Sequence, residues 1–181
     1  MRSRSSPPSG DFARRYDSSV HGLSSYFVWL NRAKRILTLD IKQPAGREIL
    51  DKLLDRADVF LTNVTHAALE RAELTSSAVR TARPRLIYCT ISGYGVDGPY
   101  RDRKSYDLLL QGESGILLAS GSVQDPAKVG VSLCDISSGM YAAMSILDAL
   151  LARNISDTGT SIDISMLECA AEWMGAPLYY Y

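Results

Sequence analysis

One carboxylate, Asp135, has the sequence surroundings of a reactive group. It follows the apolar segment 129–134 and precedes small residues and a long amphipathic pattern. A carboxylate placed there either caps the helix by accepting a free backbone N–H, or acts as a nucleophile that the helix N-terminus steadies. Gly130 and Gly139 keep the surroundings small enough for a substrate to approach. Because caps are common, the residue types alone favour the cap and leave the nucleophile open.

A second group of polar residues follows the turn-forming segment 93–99. Arg103, Lys104 and Asp107 come after that turn, which itself ends the clearest strand pattern of the chain, residues 85–92. Ligands of open parallel α/β folds bind beyond the carboxyl ends of strands, so this place favours a binding site. The alternative is a solvated charged turn, and the residues by themselves favour that alternative. The basic segment 31–35 has the same two interpretations, a phosphate contact or a surface lead into a strand.

Composition and missing motifs limit the possible functions. Twenty Lys and Arg balance twenty Asp and Glu, so bulk charge predicts neither a nucleic-acid nor a membrane partner. The polar start, residues 1–10, has no apolar signal region, which favours a cytoplasmic protein. Three separated cysteines predict buried thiols, and with only His21 and His66 beside them no metal site is expected. Dinucleotide, P-loop and GxSxG patterns are missing, which argues against a nucleotide-binding protein and a hydrolase.

Strand and helix patterns alternate along the chain and predict an α/β domain with a parallel sheet. Residues 1–20 read as an irregular lead-in and residues 21–181 as one domain. A Gly/Ser-rich link is expected at 112–122. Predicted strands lie at 36–39, 59–62, 85–92 and 161–165, and predicted helices at 43–57, 67–72, 76–82, 107–111, 136–153 and from 167 onward.

The helix predicted at 136–153 has the strongest apolar period in the chain, and this period predicts the face turned to the core. The predicted apolar stripe consists of Met140, Ala143, Met144, Leu147, Leu150 and Leu151.

The chain ends in three consecutive tyrosines that no later residue covers. A fragment, or a subunit completed by a partner, is therefore expected.

Taken together, these segments resemble the family III CoA-transferases, and the order and spacing of the motifs make the resemblance specific. It covers the chain from about Gly10 onward. The segments that carry it are Asn31-Arg-Ala-Lys-Arg35, Leu39-Asp-Ile-Lys42, residues 57–63, Pro84-Arg-Leu-Ile-Tyr88, Ser92-Gly-Tyr-Gly95, Asp97-Gly-Pro-Tyr100, Tyr106-Asp107 with Gln111, and Asp135 with Gly139-Met-Tyr141.

The resemblance implies a Rossmann-like large domain in which Asp135 is the catalytic aspartate. It implies CoA transfer from an acyl-CoA to a carboxylic acid through an aspartyl anhydride and an aspartyl-CoA thioester. Acyl-CoA and the acid are then substrates, with no permanently bound cofactor and no metal. The CoA-contacting positions that it implies are Leu39, Lys42, Asn63, Val64, Thr65, Arg71, Lys104, Ser105, Tyr106 and Asp107.

The sequence also departs from the family pattern at several positions. Family members begin with a strand-helix-strand unit and continue well past the position of Tyr181, so an incomplete domain is expected. Full-length members form interlocked homodimers. Asn63-Val64 replaces the frequent Asn-Phe pair, Thr65-His66 replaces the usual Gly-Pro, and Gln43 should weaken a helix cap.

Two alternatives to CoA transfer stay open. The first is 2-methylacyl-CoA racemisation, a proton transfer in the same family, and it is disfavoured by Tyr106, where the racemases carry a histidine. Tyrosine is a poor base because its reference pKa is about 10. The second alternative is a truncated remnant without catalytic activity.

Overall fold

The computed structural model describes the backbone of residues 3–6 and all of residues 11–180. The chain divides into two compact units, Met1–Asp55 and Arg56–Tyr181. The single partial domain expected over residues 21–181 stays a prediction. Each unit has its own parallel sheet, with two strands in the first and three in the second.

The first unit contains a strand inside the segment that was expected to be irregular. Strand β1 (Ser3–Ser6) pairs in parallel with β2 (Arg35–Thr38), and helix α1 (Ser25–Asn31) and a short 3-10 helix (Phe12–Arg15) lie between them in sequence. The prediction missed β1 because each residue pairs with one 32 positions further along the chain, and the sequence of β1 has no apolar alternation. The unit closes with α2 (Pro44–Leu54).

Polar side chains set the start of α1, whereas α2 begins without a side-chain cap bond. The carboxylate of Asp17 accepts hydrogen bonds from the backbone N–H of Ser19 and from the backbone N–H and hydroxyl of Ser25, and these bonds lower the pKa of Asp17. The Ser24 hydroxyl accepts the N–H of Phe27 and caps α1. At the start of α2, Gln43 makes no side-chain cap bond, as the sequence predicts.

The second unit is built on a three-stranded parallel sheet with β4 in the middle. The strands are β3 (Val59–Thr62), β4 (Ile87–Ser92) and β5 (Ser161–Ser165), in the order β3-β4-β5. Both neighbours pair with β4 in parallel. This confirms the predicted α/β class, and β3 and β5 have the bounds that the sequence predicts.

Helices connect these strands, and one lies where only a link was expected. Gly115, with a φ of +85°, opens α6 inside the Gly/Ser-rich segment 112–122. Within the described parts of the chain, no helix combines the length and the apolarity that crossing a bilayer requires. The helices of this unit are α3 (His66–Arg71), α4 (Ser76–Ala82), α5 (Asp107–Glu113), α6 (Ile116–Ser120), α7 (Leu133–Ser156) and α8 (Met166–Trp173), followed by a 3-10 turn at Pro177–Tyr179.

Helix α7 packs small residues, together with Tyr141 and Ile146, against the sheet, and its other large residues lie mostly on the exposed face. Ala142 is 2% exposed and belongs to a core cluster with Cys89, Ile164 and Cys169. The predicted inward stripe is therefore wrong, because close helix–sheet packing selects the face with small side chains. The large residues form an exposed outer α7 ridge, made of Met140, Met144, Leu147, Leu151 and Ile155.

The last residues of the chain have little cover in this structure. Tyr179 and Tyr180 are 93% and 84% exposed, while Tyr181 lies outside the described residues.

The three cysteines are free and buried, as predicted.

Candidate active site

Three functional segments leave the sheet of the second unit at one edge. Because β3, β4 and β5 are parallel, residues 63–65, the loop 93–106 and the start of α8 all follow the carboxyl ends of neighbouring strands. The N–H of Leu167 donates a 3.0 Å hydrogen bond to the carbonyl oxygen of Gly93, which ties α8 to the loop. This edge is where the sequence predicts a ligand site.

The loop 93–106 folds back onto the end of β4. A Cβ atom at Gly93 would collide with the side chain of Ser105, so glycine is required where the loop returns. The Arg103 guanidinium lies over the Tyr100 ring, 4.3 Å from its centroid, and the Tyr94 and Tyr100 rings meet edge to face. Arg103 therefore makes its ring contact within the loop.

Lys104 and Tyr106 remain accessible at the end of this loop. Lys104 is exposed, and Tyr106, which holds the N-cap position of α5, is 68% exposed and makes no side-chain cap bond. Both side chains are open to solvent and to a ligand that approaches this part of the chain.

The other predicted CoA-contacting residues are distributed over both units. Asn63 and Val64 follow β3, and Thr65 holds the N-cap position of α3 without a side-chain cap bond. Arg71 lies exposed in the last turn of α3. Leu39 and Lys42 belong to the first unit, where Leu39 is partly buried and Lys42 exposed.

Asp107 is the first residue of α5 and is only partly exposed. Its Oδ1 accepts a 2.8 Å hydrogen bond from the N–H of Cys134, and its Oδ2 accepts a 2.7 Å bond from Nε2 of Gln111. The Cys134 N–H is one of the free donors at the start of α7. Asp107 therefore joins α5 to the helix that carries Asp135.

Asp135 is the third residue of α7 and does not cap it. The helix begins at Leu133 and its N-cap is Ser132, so the cap interpretation of Asp135 is wrong. The residue is exposed, yet desolvation by the surrounding protein, followed by the negative charge of Asp107, raises the pKa of its carboxyl group above the ordinary value. An accessible carboxylate of raised pKa is a suitable nucleophile toward an activated acyl group.

Gln111 also belongs to this site, although the sequence analysis gave it no role of its own. It is fully buried, and its Oε1 accepts the N–H of Val129 at 2.9 Å. Its spacing of four residues from Asp107 on one helix is the signal that could have identified it.

Across the described parts of the chain, no cluster of three or more His, Cys, Asp or Glu side chains could hold a metal ion.

The comparisons with known proteins identify the family. The family model of CoA-transferase family III matches residues 5–181. The protein belongs to that family.

Curated relatives and solved structures agree with this membership. The chain is 36% identical over 146 residues to a succinate–glutarate CoA-transferase of Agrobacterium fabrum, covering 80% of this chain and 36% of the relative. It is 34% identical over 164 residues to an acetyl-CoA:oxalate CoA-transferase of Acetobacter aceti, covering 90% and 42%. A CAIB/BAIF family protein from Brucella suis superposes with a TM-score of 0.93 at 32% identity, covering 99% of this chain and 49% of that one. The chain thus spans less than half the length of these relatives.

Proposed function

We propose that this chain carries the acyl-accepting part of a CoA-transferase site and that Asp135 is its nucleophile. The observation that carries the proposal is the state of Asp135 itself. Among the described residues its carboxylate has no hydrogen-bonding or ion-pair partner, although it lies in the first turn of a helix whose cap is supplied elsewhere. A carboxylate without a structural role at this point is available for covalent chemistry.

The proposed reaction conserves the thioester energy. An oxygen of the Asp135 carboxylate attacks the carbonyl carbon of an acyl-CoA, the C–S bond breaks, and CoA leaves as the thiolate. The thiolate then attacks the aspartyl carbonyl carbon of the mixed anhydride, which releases the donor acid as its carboxylate and leaves an aspartyl-CoA thioester. The acceptor carboxylate repeats the two steps in reverse, so that it leaves as acyl-CoA and Asp135 is regenerated.

Charge and accessibility support roles for the residues around the nucleophile. Lys104 and Arg71 are exposed cations that suit the phosphate groups of CoA. Tyr106 offers an exposed ring to the thioester or adenine end. The remaining proposed CoA contacts are Leu39, Lys42, Asn63, Val64, Thr65, Ser105 and Asp107.

The nature of residue 106 favours transfer over racemisation. A racemase needs a base that removes the α-proton of the acyl group, and Tyr106 with its high reference pKa is poorly suited to that step. Incubation with a chiral 2-methylacyl-CoA in deuterated water tests this. Exchange of the α-proton without any acceptor acid would replace the transfer proposal by racemisation.

Trapping of the covalent intermediate tests the proposal directly. The chain is incubated with an acyl-CoA, treated with hydroxylamine, and digested for peptide mass spectrometry. We expect conversion of Asp135 to its hydroxamate, with Asp135→Asn as the variant that loses the modification and Asp102→Asn as the matched control that keeps it. Absence of any modified residue would identify a chain without catalytic activity.

The interlocked homodimer and the cytoplasmic location remain predictions. Sedimentation of the full-length protein tests the homodimer, and cell fractionation tests the location.

A further inference from the structure

Two polar residues of α5, Asp107 and Gln111, make hydrogen bonds at the start of α7. Ser132, at that N-cap, makes no side-chain cap bond, whereas Asp107 accepts the N–H of Cys134 from across the site. A helix start leaves four backbone N–H groups without intrahelical partners. Asp107 supplies an acceptor that the local sequence around α7 does not provide.

Gln111 fixes both Asp107 and the segment that leads into α7. Its Nε2 donates to Oδ2 of Asp107 at 2.7 Å and to the carbonyl oxygen of Val131 at 3.5 Å, while its Oε1 accepts the N–H of Val129 at 2.9 Å. The side chain is completely buried. A buried amide whose donor and acceptor sides are both used has one orientation, so Asp107 is held in one orientation as well.

This arrangement changes what Asp135 has to do. A carboxylate in the first helical turn ordinarily binds the free N–H groups there. Here Asp107 already occupies the Cys134 N–H, and Asp135 has no partner among the described residues. We propose that Asp107 and Gln111 form a positioning pair, which fixes the first turn of α7 and thereby leaves the Asp135 carboxylate free to react. The inference rests on the proposed function, since only there does Asp135 react.

The pair also acts on the charge of Asp135. Asp107 is the neighbouring charge that, with desolvation, raises the pKa of Asp135. The other acidic groups on elements packed against α7 are Glu113 of α5, Asp163 of β5, and Glu168 and Glu172 of α8, and none of them contributes to the raised pKa of Asp135. One residue therefore both places the nucleophile and favours its protonated form, and a carboxylate of raised pKa is a stronger nucleophile once it is ionised.

Three variants of the full chain separate position from charge. Asp107→Asn removes the negative charge and keeps an oxygen for the Cys134 N–H, while its NH2 group replaces the oxygen that accepts from Nε2 of Gln111. Gln111→Met keeps the approximate volume and removes every hydrogen bond of the amide. Thr75→Ala is the control, because it removes the cap of α4, where the Thr75 hydroxyl accepts the N–H of Ala78, at a place without a proposed role.

Three measurements are made on each variant. The titration of the Asp135 carboxyl carbon is followed by NMR after ¹³C labelling of aspartate, with Asp135→Asn assigning the resonance. The rate of hydroxylamine-trapped modification at Asp135 is measured with an acyl-CoA, and the midpoint of thermal unfolding is recorded. The NMR titration reports on Asp135 whether or not the chain reacts with acyl-CoA.

The variants have distinct expected outcomes. Asp107→Asn shifts the titration midpoint of Asp135 downward, because the like charge is gone. Gln111→Met slows trapping about ten- to a hundredfold, as expected when a reacting group is misplaced by about 1 Å. Thr75→Ala lowers the unfolding midpoint and changes neither the titration of Asp135 nor the trapping rate.

The opposite results would overturn the inference. It fails if Asp107→Asn leaves the Asp135 titration unchanged, or if Thr75→Ala slows trapping as much as Gln111→Met does. Should Asp107→Asn not fold, Gln111→Met decides, because an unchanged trapping rate in that variant contradicts the positioning role. If no protein is trapped but the titrations behave as expected, the proposed function fails and the effect of Asp107 on Asp135 stands.

Discussion

Oδ1 of Asp107 lies 2.8 Å from the backbone nitrogen of Cys134, so that a residue twenty-seven positions earlier caps the longest helix among the described residues. The contact joins α5 to α7 and determines how the neighbouring residue, Asp135, responds to mutation. Asp107 accepts the helix N–H, whereas covalent chemistry is proposed for Asp135, so substitution of the two carboxylates should give opposite patterns of stability and activity.

Asp107→Ala should destabilise the protein by about 1–3 kcal/mol. The substitution removes the acceptor for the Cys134 N–H and leaves the Nε2 of the buried Gln111 without its closest partner. Urea unfolding monitored by circular dichroism measures the change. Asp102→Ala is the control, because Asp102 is paired on the surface with its neighbour Arg101, and it should change stability by less than about 1 kcal/mol. Equal losses in the two variants would contradict the structural role of Asp107.

Asp135→Asn should remove trapping by acyl-CoA without destabilising the protein near neutral pH. The folded state raises the pKa of Asp135, so it binds the proton more tightly than the unfolded state does. The resulting contribution to stability is fully present below the unfolded value of 3.8 and is lost as the pH rises through the higher folded value. The native protein should therefore lose stability relative to the variant across that window. A variant that is less stable by about 1 kcal/mol or more at neutral pH would restore the cap interpretation.

Two glycines should respond to alanine with opposite signs. A Cβ at Gly159 would collide with the backbone carbonyl of Leu86, so Gly159→Ala should cost about 1–3 kcal/mol. A Cβ at Gly139, in an exposed part of α7, would meet no atom within 4 Å, so Gly139→Ala should stabilise the helix by about 0.5–1 kcal/mol. Thermal unfolding of the two variants side by side is the measurement, and a stabilising Gly159→Ala would contradict the packing described here.

The three cysteines should resist alkylation in the folded protein. Cys89, Cys134 and Cys169 are buried, and burial raises the pKa of the Cys89 thiol to about 11 and that of Cys134 to about 12. Because the thiolate is the reactive form, iodoacetamide at mildly alkaline pH should modify none of them until denaturant is added. Mass spectrometry counts the adducts. Rapid modification of Cys134 in the native chain would mean that the start of α7 opens easily.

The sequence predicts the sheet of the second unit well because its strands carry a local signal. The segments 59–62 and 161–165 are short apolar or alternating runs between polar residues, and both have the predicted bounds. Helices α1 and α6 were missed. Helix α1 has no apolar period, and α6 lies in a Gly/Ser-rich stretch that is typical of a link.

The site could be predicted only in part, since its decisive contacts join residues far apart in the chain. The pattern around Asp135 favoured a cap, and this was wrong because the helix begins two residues earlier and the acceptor for the Cys134 N–H comes from Asp107. The face of α7 was assigned wrongly for a similar reason. Apolar period identifies a helix and its faces, but the depth of packing on a sheet depends on side-chain size, and the small residues Ala142 and Ser138 are among the buried positions of α7.

The outer α7 ridge exposes the thioethers of two methionines, and this makes the helix selectively sensitive to oxidants. Met140 and Met144 are 56% and 63% exposed, whereas Met174 is only 9% exposed. Dilute hydrogen peroxide should therefore convert Met140 and Met144 to sulfoxides well before Met174, as peptide mass spectrometry can quantify. Preferential oxidation of Met174 would contradict the orientation of α7. Each sulfoxide would place a polar group on a surface of carbon and sulfur, so preparations stored in air should gradually lose the apolar character of this face.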